Sequence, residues 1–135
     1  MSDSVNYNLF NGKRLRNEDS VHPNATYVVI NGFKRFIPDG STYVNLWGDD
    51  NSGIQNDPNL ENIPEGKALT SGASLLRIEG EAATYLVTNQ QKLFIPSGNI
   101  FHDYGFSTAY IKDVERSVID NIPPGEDLKS PFDGT

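Results

Sequence analysis

The feature that most constrains this chain is that it gives one instruction twice. Residues 27–40 read YVVINGFKRFIPDG, and 58 positions later residues 85–98 read YLVTNQQKLFIPSG. Phe36-Ile37-Pro38 aligns with Phe94-Ile95-Pro96 at that same offset, and Gly40 with Gly98. Asn62-Ile63-Pro64-Glu65-Gly66 meets Asn121-Ile122-Pro123-Pro124-Gly125 at an offset of 59, and Gly12 meets Gly72 at 60. Separate blocks in one order at near-constant spacing mark a tandem duplication. A repeat of this length is a supersecondary unit that cannot bury its apolar face alone. The expected fold is therefore α+β and β-rich: two tandem hairpin-plus-short-helix repeats packed as a pseudo-twofold single domain. An N-terminal arm takes residues 1–11, the first repeat 12–70, the second 71–129 and a tail 130–135.

Within each unit the residues specify short elements. Residues 75–78 (LLRI) read as a strand, and 13–16 (KRLR) as its weaker counterpart. A hairpin follows, 27–30 with 33–37, joined by Asn31-Gly32, whose residues both tolerate the positive φ of a type I′ turn. Asn89-Gln90 is a poorer turn and predicts a wider loop in the second copy. Pro38 and Pro96 cannot donate to a ladder and end their strands. Brief helical turns are expected over 41–46 and 99–104, capped by Ser41 and Asn99. Residues 114–121 are the most helix-like stretch.

A two-residue hairpin places facing residues on the same side of the sheet. Tyr27, Val29, Lys34 and Phe36 share one face, as do Tyr85, Val87, Lys92 and Phe94. Because both copies spell an apolar base with a lysine near the turn, this face is expected to form the shared core. The opposite face is apolar near the first turn (Ile30, Phe33) and polar near the second (Thr88, Gln91). Either the arm covers it through Tyr7, Leu9 and Phe10, or Val28, Ile30 and Phe33 form a patch that binds a partner.

Charge excludes some partners. With 18 acidic against 11 basic residues the net charge is −7, which repels a polyanion, so nucleic acid is not an expected partner. The best basic cluster, Lys13, Arg14 and Arg16, reads as solvated charge on the arm. No apolar run is long enough to span a membrane, and membrane insertion is not expected. The first ten residues, MSDSVNYNLF, lack a basic segment followed by an apolar one, so synthesis in the cytoplasm without a signal peptide is expected. The chain has no cysteine, which removes disulfides and thiolate chemistry.

Motifs for catalysis are sparse. The two histidines, His22 and His102, fall at non-equivalent repeat positions and read as ordinary surface or half-buried residues. No nucleophile elbow, metalloprotease helix or phosphate loop occurs. In WGDDNSG, residues 47–53, Asp49, Asp50 and Asn51 carry hard oxygen donors of the kind calcium takes, but Gly53 comes one place early for an EF-hand loop. An Asp/Asn/Ser/Gly surface turn explains the stretch as well, and no metal or cofactor is expected. Trp47 is either core or, with Asp49, Asp50 and Asn51, a platform on which a sugar ring could stack while polar groups hold its hydroxyls.

The repeat, Tyr-aliphatic-Val, an Asn-Gly turn, Ile-Pro and a closing Ile-Pro-x-Gly, resembles a tandem repeat of uncharacterised bacterial and phage proteins, over nearly the whole chain after about residue 12. The resemblance implies a non-catalytic module and transfers no catalytic residue. The resulting expectation is a structural or adhesive protein, not an enzyme. It would attach to a protein partner in a larger assembly, self-association being one form of this, and a phage virion decoration or tail-associated protein fits. The alternative is a carbohydrate-binding module using Trp47 and the Asp49–Asn51 loop, with a glycan as partner.

Overall fold

A computed structural model describes residues 6–131. Its elements, in chain order, are a 3-10 helix Tyr7–Phe10, strands β1 (Arg14–Arg16), β2 (Tyr27–Ile30) and β3 (Phe33–Phe36), helix α1 (Gly40–Trp47), strand β4 (Ile54–Asn56) and a 3-10 helix Pro58–Asn62. The second half runs β5 (Ser74–Ile78), β6 (Thr84–Thr88), β7 (Gln91–Ile95), α2 (Gly98–Asp103), a 3-10 helix Thr108–Tyr110, β8 (Lys112–Val114) and α3 (Arg116–Asp120). Two four-stranded mixed sheets result, ordered β3-β2-β1-β4 and β7-β6-β5-β8. The fold is a small β-rich α+β domain in which one unit occurs twice.

The first hairpin has the expected register, Tyr27 opposite Phe36 and Ile30 opposite Phe33. The second closes just as tightly, with Thr88 opposite Gln91, so the expected wider loop is absent. Asn89 (φ 54°) and Gln90 (φ 63°) both take the left-handed conformation that the turn demands. The helices start earlier than expected because Asp39 and Ser97, not Ser41 and Asn99, are their caps. Residues 114–121 split: Val114 ends β8, and only Arg116–Asp120 is helical. Strands β4 and β8, each parallel to the first strand of its unit, carry too little periodicity to be read from sequence.

The hairpin faces are opposite to expectation. Val28, Ile30, Leu86 and Leu93 enter the central core between the units, with Trp47, Tyr104, Phe106, Leu75 and Leu128. Tyr27 and Val29 face outward, onto a smaller cluster with Leu15, Leu60 and Ile63. Tyr7 and Phe10 of the arm close that outer cluster and do not cover Ile30 and Phe33, while Leu9 stays exposed. Among the described residues no such arm covers the second sheet, and its Leu76 and Val87 are half-buried where Leu15 and Val29 are fully buried. The pattern of β2 and β6 does not decide between the faces, because both strands are apolar on both sides.

Each unit completes the other through equivalent bonds. Asn31 Nδ2 in the first hairpin turn donates to the Asp127 carbonyl (2.9 Å), and the Lys129 amide donates to Asn31 Oδ1 (2.8 Å). In the second turn Asn89 Nδ2 donates to the Ala68 carbonyl (3.0 Å), and the Thr70 amide donates to Thr88 Oγ1 (3.1 Å). Each unit's final segment thus straps the other unit's turn. On its way, the strap lies along its own hairpin edge: Lys34 exchanges bonds with Pro64 and Gly66, and Lys92 with Pro123 and Gly125. The closing Ile-Pro-x-Gly is therefore the segment that covers the free edge of β3 or β7, which would otherwise invite pairing with another chain. Tyr27 with Phe36 (5.6 Å between ring centroids) and Tyr85 with Phe94 (5.5 Å) lie in matching surroundings, each beneath a lysine.

Candidate functional site

At the base of each hairpin, where the chain turns into its helix, the surface is hollowed. Phe36, Ile37 and Pro38 line the hollow in the first unit, and Phe94, Ile95 and Pro96 in the second. The first is an open groove of about 1070 Å³ and the second is about 490 Å³. Strand register gives the cause. Leu15 matches Leu76 across the units, an offset of 61, whereas Tyr27 matches Tyr85 at 58. The first unit therefore carries three extra residues between β1 and β2, and this longer loop forms one wall of its groove.

The loop is ordered by its own polar groups. Asn17, buried, donates from Nδ2 to Glu61 (3.0 Å) and accepts the Asp19 amide (3.1 Å). Ser20 Oγ donates to the Asn17 carbonyl (2.8 Å) and accepts the His22 amide (3.2 Å). These successive turns raise Val21 out of the surface, where it is 90% exposed. Val21, His22 and Asn24 all line the groove, and no residue type in the loop advertised this; the length difference between the units was the only signal.

Asp39, Asp49 and Glu65 also line the first groove, and none of the described residues lining it is Lys or Arg. Among the described residues lining the second there is no acidic one; Ser97 lines it at the position of Asp39, and Pro124 takes the strap position of Glu65. Asp39 accepts bonds from Ser71, from the Thr42 amide and hydroxyl, and from Ser41, which hold its carboxyl far below the usual carboxylate range and keep it ionised. The Tyr27 hydroxyl is pushed upward, first by burial and then by the charges of Glu65 and Glu61. Each histidine lines one groove, His22 the first and His102 the second, from non-equivalent positions.

The structure places the other nominated residues as follows. Val28 and Ile30 are 1% and 3% exposed and sit between the units, so neither can meet a partner. Phe33 is 48% exposed and borders a hollow of about 380 Å³ between the two hairpin turns. Trp47, 3% exposed, is core: its Nε1 donates to the Tyr104 carbonyl (2.8 Å), and it packs on Tyr43 and Phe106. It offers no face to a sugar. The Asp50 carboxylate accepts the Ser52 amide (2.8 Å) and hydroxyl, which lower its pKa, so it builds the turn. Asp49 and Asn51 line the groove. Among the described residues no group of three His, Cys, Asp or Glu side chains is arranged to hold a metal ion.

Arg14 departs from its expected role as solvated charge. It occupies the sheet position of Leu75, and its guanidinium lies 5.3 Å from the Trp47 ring centroid while Nη1 donates to Tyr43 Oη (2.7 Å). Tyr43 in turn donates to the Asp50 carbonyl (2.7 Å). Burial raises the Tyr43 pKa against the opposing pull of Arg14. This chain of contacts fixes the 49–53 turn against α1 and so sets the far wall of the groove.

No family model matches the chain, and no curated protein or solved structure does. Among the described residues no helix is long and apolar enough to cross a membrane.

Proposed function

We propose that the protein is a non-catalytic attachment module that joins a larger assembly, of the kind that decorates a virion or its tail, and that it engages a protein partner through the first-unit groove. The observation carrying this reading is the three-residue insertion. One of two otherwise matching units has a loop that enlarges its groove and holds Val21 in water, at a cost that the other unit avoids. An apolar side chain fixed at the mouth of an apolar groove is what an interface uses as an anchor. The groups with displaced pKa values also support a binding role. Asp39 caps α1, Asp50 builds a turn, Arg77 pairs with Asp113 across β5 and β8, and Tyr104 is buried between the units. Each has a partner or a packing role within the fold, while Tyr27 and Tyr43, whose hydroxyls are also pushed up by burial, line the groove together with Asp39.

The carbohydrate-binding alternative depended on Trp47 as its stacking platform, and burial of that ring removes its central residue. Co-sedimentation tests the attachment reading: purified protein is spun with the particle fraction of the cells or virions that produce it. The wild-type chain is expected to pellet with the particles, and Val21→Asp to bind roughly tenfold more weakly with unchanged circular dichroism. A chain that stays in the supernatant, or a variant that pellets equally well, contradicts the proposal.

A further inference from the structure

The two grooves share an apolar floor and differ in charge. A duplicated unit makes its own control: whatever the second unit lacks, the common fold does not need. Ser97 caps α2 as Asp39 caps α1, its Oγ accepting the Ile100 amide (3.2 Å), so helix capping does not require a carboxylate. Pro124 makes the same edge bridge to Lys92 that Glu65 makes to Lys34, so the bridge does not require one either. The loop from residue 105 to 111, which follows α2, carries no Asp or Glu, whereas Asp49 lines the first groove from the equivalent side. The carboxylates of the first groove are thus additions to a working scaffold.

Among the described residues lining the groove there is no lysine or arginine. Arg14 contacts Tyr43 but does not line the groove, and Lys34 donates its Nζ to the Leu60 carbonyl (2.8 Å). The Tyr27 hydroxyl holds its proton more tightly, first through burial and then through the charges of Glu65 and Glu61, with Lys34 5.5 Å from its ring centroid. The groove is open, and Pro23, Tyr27, Phe36 and Pro38 are among its lining residues. That suits an extended chain laying apolar side chains into it, and the acidic rim selects what lies between them.

Resting on the groove as the attachment site, we infer that its occupant is an extended segment of a protein partner in which apolar residues alternate with lysine or arginine. The apolar residues fill the floor beside Phe36 and Pro38, and the cations meet Asp39, Asp49 and Glu65. The second groove, without acidic residues, lacks this preference.

Titration of the isotope-labelled full chain, followed by amide resonances, tests this with three capped synthetic peptides. They share one Leu/Pro pattern and carry Lys, Gln or Glu at the intervening positions. The Lys peptide is expected to shift Thr26, Phe36 and Val44, and to weaken roughly tenfold between low and high salt as surface charges are screened. Removing the carboxylates of the rim, in Asp39→Ser/Asp49→Asn/Glu65→Pro, should cost about tenfold in affinity for the Lys peptide and leave the Gln peptide unchanged. Because Asp39 also caps a helix, Asp49→Asn/Glu65→Gln serves as the variant with intact capping and should lose part of the same preference. Equal binding of the Gln or Glu peptide overturns the cationic assignment and leaves the groove as the site. Shifts confined to Thr84, Phe94 and His102, or no shift with any peptide, overturn the groove as well. Shifts at the first groove by a neutral oligosaccharide at lower concentration than the Lys peptide overturn the peptide assignment in favour of a glycan.

Discussion

Gly12 and Gly72 show how far single residues could be read from the sequence. They align as identical residues at an offset of 60, and each sits in the turn before its strand, which the Lys13 amide closes on the Phe10 carbonyl and the Ala73 amide on the Thr70 carbonyl. Both have positive φ, 88° and 90°. Only Gly12 is also crowded: a Cβ there would overlap the Asp103 carbonyl oxygen of the other unit, whereas a Cβ at Gly72 meets nothing within 4 Å. Gly72→Ala should therefore cost only its backbone strain, about 1–2 kcal/mol. Gly12→Ala adds overpacking between the units and should cost about 3 kcal/mol or more. Urea denaturation of the two variants checks the difference, and equal losses would show that the units are not in close contact there. Arg14 gives the converse lesson. A cation among Lys13 and Arg16 reads as solvated, and only the register that puts it at the Leu75 position reveals its seat between Tyr43 and Trp47.

At the scale of elements, what was legible was local. The Asn31-Gly32 turn fixed the first hairpin and its register, because turn chemistry and strand pairing involve neighbours. Strands β4 and β8 were not legible, since IQN and KDV acquire strand geometry only by pairing in parallel with β1 and β5. The groove was hidden for the same reason: its walls come from loops whose relation is set by the sheet. The straps were visible as a repeated Ile-Pro-x-Gly, but not their reach into the opposite unit. Leu69 and Leu128 follow that motif in the two straps, and both are buried in the central core. Leu69→Ala and Leu128→Ala should each destabilise by about 2–4 kcal/mol, as buried leucines do. Chemical denaturation that finds Leu128→Ala costing under about 0.5 kcal/mol would show that the second strap is ornamental.

For the whole molecule, the duplication predicts interdependence. Neither unit encloses a complete core, because one central cluster takes Val28, Ile30, Leu46 and Trp47 from the first unit and Leu75, Leu86, Tyr104 and Leu128 from the second. The turn bonds run both ways between the units, from Asp127 and Lys129 to Asn31 and from Ala68 and Thr70 to the second turn. A small domain built like this unfolds as one body. Its net charge is −7, and its two matching grooves differ where one has a longer loop and carboxylates in its lining. Native-state hydrogen exchange tests the interdependence most directly. In the wild-type chain the slowest amides of β2 and β6 should open with the same free energy, and Leu86→Ala, placed in the second unit alone, should lower both by the same amount. A first unit whose β2 amides keep their full protection in Leu86→Ala would contradict the account.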